Sequence, residues 1–321
     1  MQKTKSTIVG STESAAKEPH QPSVTEKTAP PEFNSRPQRA ITASMLYSLV
    51  SCPHRVTMDL YGDPAQRDPV NAFVEMLWER GSSVEHERMA SLDVPFVDLQ
   101  ALTTTEKTRR TREAMAAGAP LIYGGRIEAD DLLGEPDLLR KEGIGYVPGD
   151  IKSGAGEEGG DDEGDDSRLK KTYVVQLALY MDILERSGLS AGRRGFIWDV
   201  HGAEVTYDMT APRGVRSTET WWDFYAAQLT TARGIMARTN ETLPAYASGT
   251  CKLCHWYSSC LKAVKAADDL TLISELGRAK RDAMCSEIRT VAELATINPE
   301  AYTKGKKTAF AGIGPDTLAK F

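Results

Sequence analysis

Residues 135–154 read EPDLLRKEGIGYVPGDIKSG, and the fold turns on how this stretch pairs with itself. The wider segment from Pro120, PLIYGGRIEADDLLGEPDLLRKEGIGYVPGDIKSG, is a series of short apolar runs broken by Gly, Pro and paired Asp. That pattern predicts three strands in hairpin succession, at about Leu121–Ala129, Leu132–Arg140 and Tyr146–Lys152. Asp137 then falls on the second strand, and Asp150-Ile151-Lys152 closes the third. Strand alternation puts Asp150 and Lys152 on one face, and hairpin pairing brings Asp137 alongside. Two carboxylates meeting at a strand end make a hard-oxygen site suited to Mg²⁺ or Mn²⁺. A lysine beside them can orient an attacking water and neutralise charge growing on a phosphoryl oxygen. Taken alone, the D-x-K spacing also describes an ordinary solvated strand end, so its surroundings decide.

Upstream, ITASMLYSLVSCPHRVTMDLYGD (residues 41–63) predicts a helix capped by Thr42 or Ser44, with Leu46, Leu49 and Val50 at helical spacing. A second helix is predicted from Asn71 to about Leu92, and it carries His86, a nitrogen donor that could reach the same metal. A lone helical His equally fits a structural or surface role. Downstream, KKTYVVQLALYMDILERSG (residues 170–188) reads as a buried helix ended by Gly188. Gln176 and Tyr180 lie four apart on it and so share a face. A strand pair follows at Gly195–Val200 and Glu204–Met209, then an amphipathic helix through Trp221, Trp222, Tyr225, Leu229 and Met236.

The chain has 321 residues, 40% hydrophobic and 26% charged, which fits a globular protein and excludes wholesale disorder. No apolar run approaches the roughly 20 residues of a membrane span, and the N-terminus lacks a signal-peptide core. A cytoplasmic protein with no membrane partner is expected. Residues 1–40, rich in Ser, Thr, Pro, Lys and Glu, read as a disordered tail. The net charge of -6 by itself speaks against nucleic acid. However, Glu157–Asp166 holds seven carboxylates and no Lys or Arg, more than the whole net charge. Such a self-repelling block predicts a solvated acidic loop over 154–168, and the rest of the chain is neutral on the question of a DNA partner.

Four of the five cysteines form a pattern: Cys52, then Cys251, Cys254 and Cys260 in CKLCHWYSSC. The C-x2-C-x5-C trio can wrap one metal centre, with Cys52 as the fourth donor. Four thiolates suit an iron–sulfur cluster or a structural zinc, and the spacing leaves both open. Such a centre staples two distant parts of the chain and stabilises the fold. His54 and His255 adjoin cysteines as substitute ligands, and Cys285, outside the pattern, reads as an ordinary buried thiol.

The ordered set Cys52, Gly81…His86, Asp137, Asp150-Ile151-Lys152, Gln176-x3-Tyr180 and Cys251/Cys254/Cys260 resembles the RecB-like branch of the PD-(D/E)XK nuclease superfamily. It is similar to the iron–sulfur members, such as the AddB-type and CRISPR-associated exonucleases, and the resemblance covers roughly residues 41–262. It implies an α/β fold with a PD-(D/E)XK restriction-endonuclease-like core, a mixed central sheet flanked by helices, with a C-terminal helical extension. It implies that Asp137, Asp150, His86 and the Ile151 carbonyl hold the metal, and that Lys152 serves the attacking water. Gln176 and Tyr180 would buttress the site or touch the DNA backbone, and the four cysteines would carry a [4Fe–4S] cluster. The family spaces Gly and His as G-x3-H, whereas four residues separate Gly81 from His86 and Glu85 takes the expected position. Either residue therefore stands as the ligand.

Residues 263–321 read as helical and similar to helix-hairpin-helix material, with Gly312-Ile313-Gly314 as the hairpin. A helical appendage packed on the core is an equal reading, and the ending resembles a truncation of a longer ancestor. The expected function is a Mg²⁺- or Mn²⁺-dependent nuclease that hydrolyses DNA phosphodiesters. It would act as an exonuclease on single strands or ends in repair, recombination or defence, with a helicase or other repair protein as a further partner. The rival is a catalytically silent DNA-binding or scaffolding subunit, against which the intact Asp137, Asp150 and Lys152 argue.

Overall fold

In the computed structural model, which describes residues 40–159, 168–215 and 217–321, Thr42 does two jobs. It ends a two-residue strand, β1 (Ile41–Thr42), and its hydroxyl accepts the Met45 amide at 3.1 Å, which starts α1 (Ala43–Ser51). Pro53 then opens α2 (Pro53–Tyr61), where its missing N–H costs nothing. The break leaves Cys52 between two helices. Asn71 caps α3 (Ala72–Ala90) by accepting the Val74 amide, and β2 (Val97–Asp98) and α4 (Thr104–Ala116) follow. The expected disordered tail (1–40) lies outside the described residues, apart from Ala40.

The next segment departs from the three-strand expectation. The first two predicted strands each break, giving β3 (Leu121–Tyr123), β4 (Ile127–Ala129), β5 (Leu132–Gly134) and β6 (Leu138–Glu142) before β7 (Gly145–Ile151). Gly124, at φ +67, turns the chain out of one sheet, and Glu135-Pro136 returns it. A side-chain period of two cannot reveal such a switch, because the alternation continues through it. As a result Asp137 sits just before β6, not on a strand.

The acidic segment opens with a short strand, β8 (Glu157–Glu158), paired to β9 (Arg168–Leu169), so its first two carboxylates are not in a loop. Residues 160–167 of the expected acidic loop lie outside the described residues. Then come α5 (Lys171–Arg186), β10 (Arg194–Trp198), β11 (Glu204–Asp208) and α6 (Trp221–Met236). The six-stranded sheet runs β11-β10-β7-β6-β3-β2, with β7/β10 and β2/β3 parallel and the other pairs antiparallel. A smaller sheet, β1-β5-β4, stands beside it.

Each face of the large sheet has its own core. Ile122, Leu139, Tyr146 and Ile197 face α5, which is buried along almost its whole length between the sheet, α1 and α6. Leu121, Tyr123, Leu138, Val147, Phe196 and Trp198 alternate with them and face Val84 and Met89 of α3. Burying a large aliphatic side chain contributes roughly 1.5–3 kcal/mol, so the sheet and α5 dominate the stability. The fold is therefore a mixed α/β layering with helices on both sheet faces.

Two short helices, α7 (Ser248–Cys251) and α8 (Tyr257–Ala266), carry Cys251 and Cys260, with Cys254 in the turn between them. Beyond them α9 (Gly277–Met284), α10 (Val291–Leu294), the hairpin β12 (Thr303–Lys304)/β13 (Lys307–Thr308) and α11 (Pro315–Lys320) gather around Leu270, Met284, Phe310 and Leu318. Gly312-Ile313-Gly314 forms the turn into α11, with Ile313 buried. Cys285 is exposed, contrary to the sequence reading, because it falls at the C-terminal cap of α9 and turns away from that core. Among the described residues no helix is long and apolar enough to cross a membrane.

Candidate active site

The β6–β7 register sets the centre. Leu138 pairs with Gly149, so Asp137 and Asp150 face each other one step further on. Their contact is crossed: the Ile151 amide donates to Asp137 Oδ2 at 2.8 Å, and the Asp137 amide donates to Asp150 Oδ1 at 3.3 Å. Asp150 is 1% exposed, and its Oδ2 lies 3.0 Å from Lys152 Nζ. Lys152 is fixed in turn by its amide, which donates to the Trp198 carbonyl of β10.

Electrostatics sharpen the roles. Burial first, and the Asp150 charge second, push the Asp137 carboxyl up to about 8. Burial opposes the Lys152 charge, but Asp150 and Asp137 outweigh it and hold the ammonium above the ordinary lysine range. Near neutral pH the Asp137 carboxyl thus keeps its proton and Lys152 balances Asp150, while ionisation of both carboxyls leaves more negative charge than the one cation balances.

Asp150 Oδ2 is buried and meets the Lys152 ammonium at 3.0 Å. Among the described residues the buried Gln176 Oε1 has no hydrogen-bond partner. Each carboxylate oxygen can accept more than one partner, and a divalent cation bound to oxygen ligands would supply it. The donor set of Asp137, Asp150 and the Ile151 carbonyl fits Mg²⁺ or Mn²⁺. Among the described residues no group of three or more His, Cys, Asp or Glu is drawn up as a metal site.

Glu85 and His86 lie on different faces of α3. Glu85 turns inward, where its charge reaches Asp137 and the Tyr123 hydroxyl and its Oε1 accepts Gln100 Nε2 at 2.7 Å. The His86 ring is exposed and its Nδ1 is bonded at 2.7 Å to the Ser82 carbonyl of its own helix. The structure therefore brings Glu85, and not His86, to the carboxylate pair.

α5 supplies the remaining wall. The Tyr180 hydroxyl donates to the Glu135 carbonyl at 3.3 Å and so holds the turn that presents Asp137. Its ring lies so close to Gly134 that a β-carbon there would fall 2.6 Å from it. Gln176 lines a groove one turn earlier on the helix. Tyr173, another turn back, places its ring centroid 5.5 Å from Lys152 Nζ. The Gln176–Tyr180 spacing points straight at Tyr173. Gln100 and Tyr123 carry no motif and were legible only through the fold.

The four patterned cysteines line one cavity, together with Trp256. Cys52 approaches from the α1–α2 junction. Asp59 of α2 holds the trio's segment by accepting both His255 Nε2 (2.6 Å) and Trp256 Nε1 (2.8 Å). His54 likewise bonds elsewhere, to Thr242. Three N–H groups donate to sulfur: Ala247 to Cys251 at 3.3 Å, Trp256 to Cys254 at 3.5 Å, and the Arg278 guanidinium to Cys52 at 3.1 Å. Burial pushes Cys260 up to about 12, helped by the three neighbouring thiols. A shared cavity with N–H donors on sulfur fits thiolates that hold a metal centre; unliganded, burial holds the Cys251, Cys254 and Cys260 thiols above the ordinary thiol range.

No curated protein matches the chain. The family model described as the PD-(D/E)XK nuclease superfamily matches residues 39–261.

Proposed function

The chain belongs to the PD-(D/E)XK nuclease superfamily, and from that premise we propose that it is a Mg²⁺- or Mn²⁺-dependent deoxyribonuclease acting as an exonuclease on single strands or DNA ends. The observation that carries the reading is the crossed Asp137–Asp150 pair, with a buried Asp150 oxygen 3.0 Å from Lys152 Nζ.

Asp137, Asp150 and the Ile151 carbonyl hold the metal, with Glu85 taking the place expected of His86. A bound divalent ion supplies charge stabilisation at the phosphoryl oxygens. Lys152 is permanently charged in this setting, so it orients water by donating to it and steadies the growing negative charge. Tyr180 keeps the Asp137 turn in place through the Glu135 carbonyl, and Gln176 offers its unpaired amide to the substrate. Four thiolates at Cys52, Cys251, Cys254 and Cys260 carry a [4Fe–4S] cluster that closes the domain, with zinc the alternative. The setting is DNA repair, recombination or defence, with a helicase or other repair protein as partner.

The test is cleavage of end-labelled single- and double-stranded DNA in Mn²⁺ by protein purified without oxygen. Cleavage is expected to vanish in Asp150→Ala and in Lys152→Ala while both stay folded. Full cleavage by either variant sinks the assignment.

A further inference from the structure

A groove is lined by Gln176 of α5 and by Cys254 of the cysteine trio. Its volume is about 790 Å³, towards the upper end of the roughly 300–1,000 Å³ of a small-molecule pocket. One wall is α1, through Tyr47 and Ser48; the other is the first half of α3, through Val74, Leu77 and Trp78. Leu253 of the cysteine segment completes it.

This lining is exposed to a degree unusual for its residue types. Trp78 is 62% exposed, and Tyr47, Leu77 and Leu253 are each 40% or more. Large apolar side chains left open in a contiguous strip mark a binding surface. Tyr173, one turn before Gln176 on α5, places its ring centroid 5.5 Å from Lys152 Nζ.

We propose that this groove binds the single-stranded part of the DNA substrate, with Trp78 and Tyr47 as stacking platforms for its unpaired bases. The proposal rests on the nuclease reading and names the surface that carries its substrate. Two features choose a single strand over a duplex. Unpaired bases offer π-faces, which suit aromatic and aliphatic walls, and stacking of this kind tolerates any sequence. A duplex offers mainly phosphates, which call for a cationic surface, and the charged lining here is only Arg55 and Lys252 against Asp68. Of the two cations, Arg55 also pairs with Asp59 at 3.7 Å, which leaves Lys252 to accompany a single backbone. Gln176 in the lining is one turn along α5 from Tyr173, whose ring centroid stands 5.5 Å from Lys152 Nζ, and this links the groove to the centre.

The experiment is equilibrium binding of a fluorescent oligothymidylate and of a duplex of equal length to the full chain, without added divalent metal so that nothing is cut. The wild type binds the single strand more tightly than the duplex. Trp78→Ala weakens single-strand binding about tenfold or more, Trp78→Phe retains most of it, and duplex binding changes little. Unchanged single-strand affinity in Trp78→Ala and Tyr47→Ala overturns the proposal, as does a fall in the self-association of the chain in place of a fall in DNA affinity. The nuclease reading fails separately: it falls if the wild type binds the strand yet cuts nothing in Mn²⁺. The groove falls alone if Trp78→Ala binds and cuts like the wild type.

Discussion

Asp137 and Asp150 hold each other through the backbone: the amide beside each carboxylate's partner is the donor, at 2.8 Å from Ile151 to Asp137 and 3.3 Å from Asp137 to Asp150. Each side chain is held by a backbone amide of the facing segment. The pair is therefore set in place before a cation arrives, and the cost falls on ionising Asp137, whose burial beside Asp150 favours the protonated carboxyl.

That cost should be visible in Asp137→Asn. The amide keeps an oxygen acceptor for Ile151 and removes the group whose ionisation the site resists. Without metal, the variant melts at or above the wild-type temperature at alkaline pH. With Mn²⁺, the stabilisation seen in the wild type disappears. Calorimetric melting with and without Mn²⁺ checks both halves.

The pH dependence has a definite sign. The Asp137 carboxyl is raised from about 3.9 in an unfolded chain to about 8 in the fold. Its contribution to stability is then complete below about pH 4 and is lost as pH climbs through about 8. A metal must displace the proton, so Mn²⁺ binding near pH 6.5 releases close to one proton and binding above pH 9 releases almost none. Titration calorimetry in two buffers of different ionisation heat reads that number, and a proton count independent of pH contradicts it.

Tyr180 positions the Asp137 turn, so its loss should tell on rate before stability. Tyr180→Phe removes one donor to the Glu135 carbonyl, worth about 1 kcal/mol, and lowers the cleavage rate roughly tenfold with little change in melting. Gly134→Ala is harsher, because its β-carbon would press into the Tyr180 ring at 2.6 Å. If the two variants cleave equally, the ring contact does not position the site.

The cysteine reading predicts an asymmetry. Cys260→Ser loses visible absorption and iron and melts well below the wild type. Cys285→Ser, exposed and away from the cavity, changes none of these. Metal analysis and visible spectra of anaerobically purified protein decide, and a colourless, zinc-loaded wild type transfers the centre to zinc.

Arg281 is a test of how the C-terminal segment is attached. It is 4% exposed and donates to Asp269, Asp282 and the Pro244 carbonyl. Arg281→Met leaves Asp269 partly buried without its cation, a loss of about 3–5 kcal/mol. Limited proteolysis should then remove residues beyond 270 from the variant first.

What the sequence disclosed follows from distance along the chain. Asp150 and Lys152 are two apart where β7 ends and Gln176 and Tyr180 four apart on a helix, so local periodicity alone aligned them. The helices at 72–90, 171–186 and 221–236 were legible from their spacing and caps. Glu85 and His86 are neighbours, and only the packing of α3 on the sheet decides which turns inward. Tyr123 and Gln100 reach the centre because β2 and β3 pair in parallel, a contact no local pattern encodes. The broken strands at Gly124 and Pro136 were hidden for the same reason: the residues kept alternating while the partner strand changed.

The separation of Cys52 from its three companions also bears on the order in which the molecule is made. On a growing chain the carboxylates, the lysine and α5 are all synthesised before Cys251 emerges, and sheet and helix can pair from what is then present. Cys52 waits, at a break between two helices that are already packed, for a segment some two hundred residues later. On the proposed reading, the residues of the cutting centre are then all present before the thiol centre can close, and supply of metal to the cysteines would act as a late lock.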